Sequence, residues 1–270
     1  MTPAIQIHGQ PIHALLLDMD GVLYHGEHTL PGALEFMQAQ AHLPTAFVTN
    51  NPIRSPEAVA DNLAARGFAR PDARHVITSG AVTARWLHAQ RPGFRYFAIG
   101  ASGLHEQLAQ FGQADAERAD VVVVGEGPGI DFEQLAIAIN LIEQHGATLI
   151  STNPDTSVDA VRDGRHWVLP GGGALVAPIV AATGVQPITI GKPQPLLYQA
   201  ALAQLQADPA STLMIGDRPD TDIEGAARLG LRTALVRTGR FAPGAPYPEA
   251  LHAPDIDVNS LSELLQRLRA

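Results

Sequence analysis

The sequence predicts an α/β protein with a mostly parallel sheet. Two observations carry that reading. Short β-rich runs alternate with helical stretches along nearly the whole chain, with no internal repeat and no low-complexity linker between them. Most of these runs are continuously apolar, as parallel strands covered on both faces require.

The expected strands are, in order, 12–18 (IHALLLD), 45–50 (TAFVTN), 95–100 (RYFAIG), 120–125 (DVVVVG), 147–151 (ATLIS), 187–191 (PITIG), 212–216 (TLMIG) and 232–237 (RTALVR). Helices with legible ends lie between them. Ser55-Pro56-Glu57 offers a cap, a proline suited to the first helical position and an early acid, and Gly67 stops that helix. Asp131 can cap FEQLAIAINLIEQH, which Gly146 ends. GGGALVAPIVAATG stops at Gly184, with Pro178 expected to disturb its middle.

The 270 residues suffice for one large domain or two smaller ones, and 46% hydrophobic with 17% charged residues describes a globular chain. A net charge of −9 argues against general affinity for nucleic acid or anionic membranes, so a phosphate ligand needs its own local positive site. With no cysteine, disulfides and thiolate metal sites are excluded. The N-terminus lacks a basic, then apolar, leader pattern, and no apolar run is long enough to span a bilayer, so a cytoplasmic protein is expected.

In parallel sheets chemistry gathers at the carboxyl ends of strands. Four such ends carry unusual polar residues: Asp18-Met19-Asp20-Gly21, Thr49-Asn50-Asn51, Gly191-Lys192-Pro193, and Gly216-Asp217 through Asp222. Asp18 and Asp20 form a carboxylate pair suited to a hard divalent cation, with turn formation as the bland alternative. A calcium loop fails, because Val22 and Leu23 stand where a ligand and the glycine are needed. Thr49-Asn50-Asn51 offers uncharged donors for phosphate oxygens, or simply a strand-to-helix cap. Lys192 is the only lysine in a chain whose other basic residues are arginine. That contrast hints at a need for a compact ammonium, although chance also accounts for one residue. A phosphate-binding P-loop there fails at Gln186 and Pro193. Asp217, Asp220 and Asp222 crowd one helix start. A helix N-terminus favours a nearby acid by about 0.3–1 kcal/mol, which explains one of the three better than all of them. Gly125-x-Gly127-x-Gly129 is a poor dinucleotide fingerprint, and His25-x-x-His28 is too small a cluster for zinc.

Taken in order, DMDGVLY, TNN, GKP and GDRPDTD resemble the motifs of the haloacid dehalogenase (HAD) superfamily of phosphatases. STNPDT (151–156), PGGGALVAPIVAATG (170–184) and IGKPQP (190–195) are similar to its NagD-like branch, the type IIA or p-nitrophenyl phosphatase subfamily. The resemblance implies a Rossmann-like core at 1–80 and 186–270, with a mobile α/β cap inserted at 81–185. It implies Asp18 as nucleophile, Asp20 as acid and base, and Lys192 as the neutralising cation. Magnesium would be held by the carboxylates of Asp18 and Asp217 and the Asp20 backbone carbonyl, with Asp222 nearby. Thr49, Asn50 and Asn51 would bind the phosphoryl group, and Asn153 and Asp155 would face the site from the cap. The chain departs from the branch at Pro52-Ile53-Arg54, where serines or threonines are common.

The resulting expectation is a magnesium-dependent phosphatase acting through an aspartyl-phosphate on a small phosphorylated metabolite, with a nucleotide or sugar phosphate favoured. A phosphotransferase or mutase using the same intermediate is one alternative, and a non-hydrolytic phospho-acceptor is another. No nucleic-acid polymer or membrane is expected as a partner; a homodimer is compatible with the resemblance.

Overall fold

The computed structural model of the chain describes residues 5–127, 130–162 and 164–269. Gly129, in the weak glycine pattern noted above, lies outside the described residues.

The apolar runs become parallel strands, in two separate sheets. The first sheet has six strands in the spatial order Ile256–Val258, Arg232–Val236, Thr212–Gly216, Ala14–Leu17, Thr45–Thr49, Val76–Thr78. Ala14–Leu17 is an interior strand, pairing in parallel with Thr212–Gly216 on one side and Thr45–Thr49 on the other. All four of its residues are buried, so the ALLL run reflects cover on both faces. Leu15 and Leu17 pack into one core with Phe36, Phe47, Leu213, Ile215 and Leu264.

The second sheet is also parallel, in the order Ile188–Thr189, Thr148–Ser151, Val121–Val124, Arg95–Ile99, Gln113–Ala114. Val122, Val124 and Leu149 meet Ala138, Leu141 and Ile142 of the helix Phe132–His145 and Ile179 of the helix Gly172–Thr183. The caps behave as their residue types dictate. Asp131 accepts from the Gln134 N–H at 2.8 Å, and Gly146 closes that helix in the left-handed region at φ 67°. The Ser55 hydroxyl accepts from the Ala58 N–H at 3.3 Å. Gly172–Thr183 runs through Pro178 without a break, forgoing one N–H donor to the preceding turn.

The chain forms two compact units. One contains the residues up to Val48, then Val59–Ile77, and the residues from Tyr198 onward; the other contains Thr49–Ala58 and Thr78–Leu197. The second unit thus takes in more than 81–185. Two interactions explain the extension: Ile188–Thr189 pairs with Thr148–Ser151, and the Asn50 side chain bonds to the backbone of Lys192.

Some strands go beyond those expected. Val76–Thr78 and Ile256–Val258 are short edge strands, and Ser157–Arg162 pairs antiparallel with Arg165–Pro170 in a hairpin. The hairpin leaves Trp167 and Val168 exposed, so the short Trp167-Val168-Leu169 run is not a buried strand of the parallel kind. Among the described residues no helix is long and apolar enough to cross a membrane.

Leu17 is fully buried between two strands, whereas Val168 is 54% exposed. Leu17→Ala should therefore destabilise the chain by about 2–5 kcal/mol in urea denaturation followed by circular dichroism. Val168→Ala should stay within about 0.5 kcal/mol of the native value.

Candidate active site

The first unit gathers carboxylates. Leu17 lies opposite Ile215 in the parallel register, so the two strands deliver Asp18 and Asp217 from neighbouring carboxyl ends. The Asp18 N–H still donates to the Ile215 carbonyl at 2.9 Å, which extends the ladder to Asp18. After Asp217 the chain makes one wide π-helical turn, Pro219–Ile223, which returns Asp222 to the same place. One carboxylate oxygen from each of Asp18, Asp217 and Asp222 lies within 4.8 Å of the others. Asp18 is 9% exposed, Asp217 4% and Asp222 fully buried.

Backbone groups hold these acids in place. The Arg240 N–H donates to Asp217 Oδ2 at 3.0 Å, and the Arg218 N–H donates to Asp222 Oδ2 at 3.1 Å. The turn after Asp18 is closed by the Leu23 N–H on the Met19 carbonyl at 2.8 Å and the Gly21 N–H on the Tyr24 carbonyl at 2.8 Å. Gly21 has φ +78°, and a Cβ there would sit 2.6 Å from Asp217 Oδ2. Both facts demand glycine. Buried Tyr198 donates its hydroxyl to the Thr221 carbonyl at 2.6 Å, pinning the wide turn. Its burial, and then the charges of Asp222, Asp18 and Asp220, push the phenol well above its ordinary range, so it stays a neutral donor.

Asp20 and Asp220 stand outside this cluster. The Asp20 side chain is 63% exposed, with His25 Nδ1 3.6 Å from its Oδ1. The Arg218 guanidinium grips Asp220 with two hydrogen bonds, at 3.1 and 2.6 Å. Burial raises the Asp220 carboxyl, but the Arg218 bonds and charge outweigh it and hold it below the usual range. Three crowded acids in the sequence thus resolve into two cluster members and one paired with arginine. His25 and His28 face each other across a two-residue ladder and contribute nothing to the cluster.

Three hard, anionic oxygen donors converging in a buried site suit a hard divalent cation such as magnesium. The glycine-lined backbone around Asp217 supports the same reading, because it keeps that carboxylate in one position.

The second unit gathers amides around one lysine. Asn50 donates through Nδ2 to Asp155 Oδ2 and to the Lys192 carbonyl, both at 3.0 Å, and its Oδ1 accepts from the Lys192 N–H at 2.6 Å. Lys192 is 2% exposed and Asp155 6%. Gly191 makes this approach possible, since a Cβ there would meet Asn50 Oδ1 at 2.7 Å. Thr49 Oγ1 accepts from the Asn51 N–H at 3.1 Å, and Asn51 Oδ1 accepts from the Ile53 N–H at 2.8 Å in an Asx-type turn.

Asn153, expected to face the site from the cap, spends its side chain on the chain itself. It is fully buried; one amide hydrogen goes to the Asn50 carbonyl at 2.9 Å and the other to Glu126 Oε1 at 3.0 Å. Its Oδ1 accepts from the Asp155 N–H at 3.0 Å. No amide hydrogen remains for a ligand, so Asn153 holds neighbouring residues in place. Glu126, Ser79 and Tyr198 were not singled out from sequence. Glu126 carried a usable signal, because it stands two residues past the end of the apolar VVVV strand.

Comparisons with known proteins agree with this geometry. Residues 15–114 match a family model described as haloacid dehalogenase-like hydrolase, and residues 189–264 match a HAD-hydrolase-like model. The acid sugar phosphatase of Staphylococcus aureus is 38% identical over 231 residues, covering 84% of this chain and 86% of that protein. The structure of NagD from E. coli superposes with a TM-score of 0.81 at 30% identity, covering 93% of this chain and 98% of that one. The p-nitrophenyl phosphatase from Archaeoglobus fulgidus gives 0.87 at 27% identity, covering 95% and 99%. With its acid cluster on two adjacent strand ends, the chain belongs to the haloacid dehalogenase-like hydrolases, as a phosphatase of the branch that includes NagD and the p-nitrophenyl phosphatases.

Proposed function

We propose that this phosphatase hydrolyses a small phosphomonoester in two displacements, through a phosphoryl group carried on Asp18. The observation that carries the reading is the buried cluster of Asp18, Asp217 and Asp222. In the first displacement an Asp18 carboxylate oxygen attacks phosphorus, the bond to the substrate oxygen breaks, and protonated Asp20 gives its proton to that leaving oxygen, which departs as the alcohol. In the second, Asp20 takes a proton from water as the water oxygen attacks phosphorus, releasing inorganic phosphate and regenerating Asp18. The exposure of Asp20 suits a group that exchanges protons with both a leaving group and water.

The Asp18 and Asp217 carboxylates and the Asp20 carbonyl would hold magnesium, with Asp222 beside them, and the ion would offset negative charge at the reacting phosphoryl group. The Thr49 hydroxyl and the Asn50 backbone N–H bind phosphoryl oxygens in this reading, with Asn51 supporting the turn, and Lys192 supplies the compensating positive charge. Residues 81–185 select the substrate, with Asp155 contributing beside Asn50. The name of the Staphylococcus aureus relative supports a sugar phosphate as the substrate class.

The deciding experiment is p-nitrophenyl phosphate hydrolysis with and without magnesium. Native protein should show magnesium-dependent release, and Asp18→Asn should lose at least about 10³-fold, since the nucleophile is gone. Metal-independent hydrolysis, or an active Asp18→Asn protein, would sink the proposal. Lys192→Arg should lower kcat by roughly 10²-fold, because a planar guanidinium cannot replace a buried ammonium. Near-native turnover would remove Lys192 from the mechanism. Gly21→Ala should weaken magnesium binding in calorimetry by about tenfold or more, through strain at positive φ and displacement of Asp217. Unchanged affinity would show that Asp217 is not a ligand.

A further inference from the structure

One buried carboxylate in the second unit has no part in the chemistry just proposed. Glu126 is 3% exposed, and its Oε1 accepts one hydrogen of the Asn153 amide at 3.0 Å. The other hydrogen of that amide goes to the backbone carbonyl of Asn50 at 2.9 Å. The Ser79 hydroxyl donates to the same carbonyl at 2.6 Å. Because a peptide unit is planar and trans, its C=O and N–H point in opposite directions. Fixing the Asn50 carbonyl therefore fixes the direction of the Asn51 N–H. That N–H donates to Thr49 Oγ1 at 3.1 Å.

This wiring determines what the Thr49 hydroxyl can do. A hydroxyl has one proton and two lone pairs, and a donor already occupies one lone pair here. The proton remains for an acceptor outside the loop, such as a phosphate oxygen. Glutamate fits its position for a chemical reason. An ionised carboxylate only accepts, so it selects the amide orientation of Asn153 that presents Nδ2 to it and leaves Oδ1 for the Asp155 N–H.

We infer that Glu126 is a positioning residue for phosphoryl binding. Acting through Asn153, it holds the Asn50–Asn51 peptide in the orientation that makes the Thr49 hydroxyl a phosphate donor. The inference rests on the role proposed above for Thr49.

The test compares native protein with Glu126→Met and Glu126→Gln in two measurements: amide exchange at Asn51, and competitive inhibition of p-nitrophenyl phosphate hydrolysis by inorganic phosphate. Methionine keeps the volume but lacks a strong acceptor, so the Asn153 amide is left unsatisfied. Exchange at Asn51 should accelerate about tenfold or more, and inhibition by phosphate should weaken roughly tenfold, with the magnesium requirement unchanged. Glutamine keeps an acceptor and should stay within about threefold of native on both. Native-like exchange and inhibition in Glu126→Met would overturn the inference, as would a glutamine variant as impaired as the methionine one. Should Glu126→Met fail to fold, Glu126→Ala is read by the same criteria. A native protein that neither hydrolyses the ester nor binds phosphate would overturn the role of Thr49, and Asn51 exchange alone would then decide whether Glu126 orients the peptide.

Discussion

Mutual repulsion among Asp18, Asp217 and Asp222 is the constraint on which the rest of the first unit depends. Their nearest oxygens lie within 4.8 Å of one another in a buried setting. At an effective dielectric near 20, each ionised pair at that range costs roughly 3 kcal/mol. Such a cluster persists in a folded chain only if covalent and hydrogen-bonding constraints hold it and a counter-charge compensates it. The constraints are visible residue by residue. Adjacent parallel strands place Asp18 beside Asp217, a wide turn pinned by Tyr198 returns Asp222, and Gly21 lets the backbone pass against Asp217. The compensation is the proposed magnesium.

The second unit solves a different problem with mostly neutral groups. Its amides and backbone carbonyls satisfy one another around Asn50, and the buried residues Glu126, Asp155 and Lys192 are set into that network. A buried network of this kind is valuable only when complete, because an unsatisfied donor costs nearly as much as several good bonds gain. Thr49–Ala58 packs with this unit, so changes in the inserted segment reach the residues proposed to bind phosphate through ordinary hydrogen bonds.

Much of this was legible in the sequence, for physical reasons. Buried parallel strands write themselves as unbroken apolar runs such as ALLL and VVVV, and strand-end chemistry follows directly after them. Asp18, Asp217 and Asp222 were found that way. The fate of Asp220 was not, because pairing with Arg218 depends on the handedness and width of one turn. The bonds of Asn153 were not legible, because spacing cannot tell whether an amide spends its hydrogens on a ligand or on the chain itself. The hairpin at Ser157–Pro170 was not legible, since its one short apolar run, Trp167-Val168-Leu169, leaves two of its three residues exposed.

The most direct measurement of the central claim is the thermal unfolding of the native chain and of Asp222→Asn with and without magnesium. A cation that relieves carboxylate repulsion binds the folded state and must raise its stability by linkage. The native midpoint should rise with magnesium concentration. Asp222→Asn, with one repulsive charge removed, should start higher without metal and gain less from it. A native midpoint indifferent to magnesium, or a variant no more stable than native in its absence, would contradict the account.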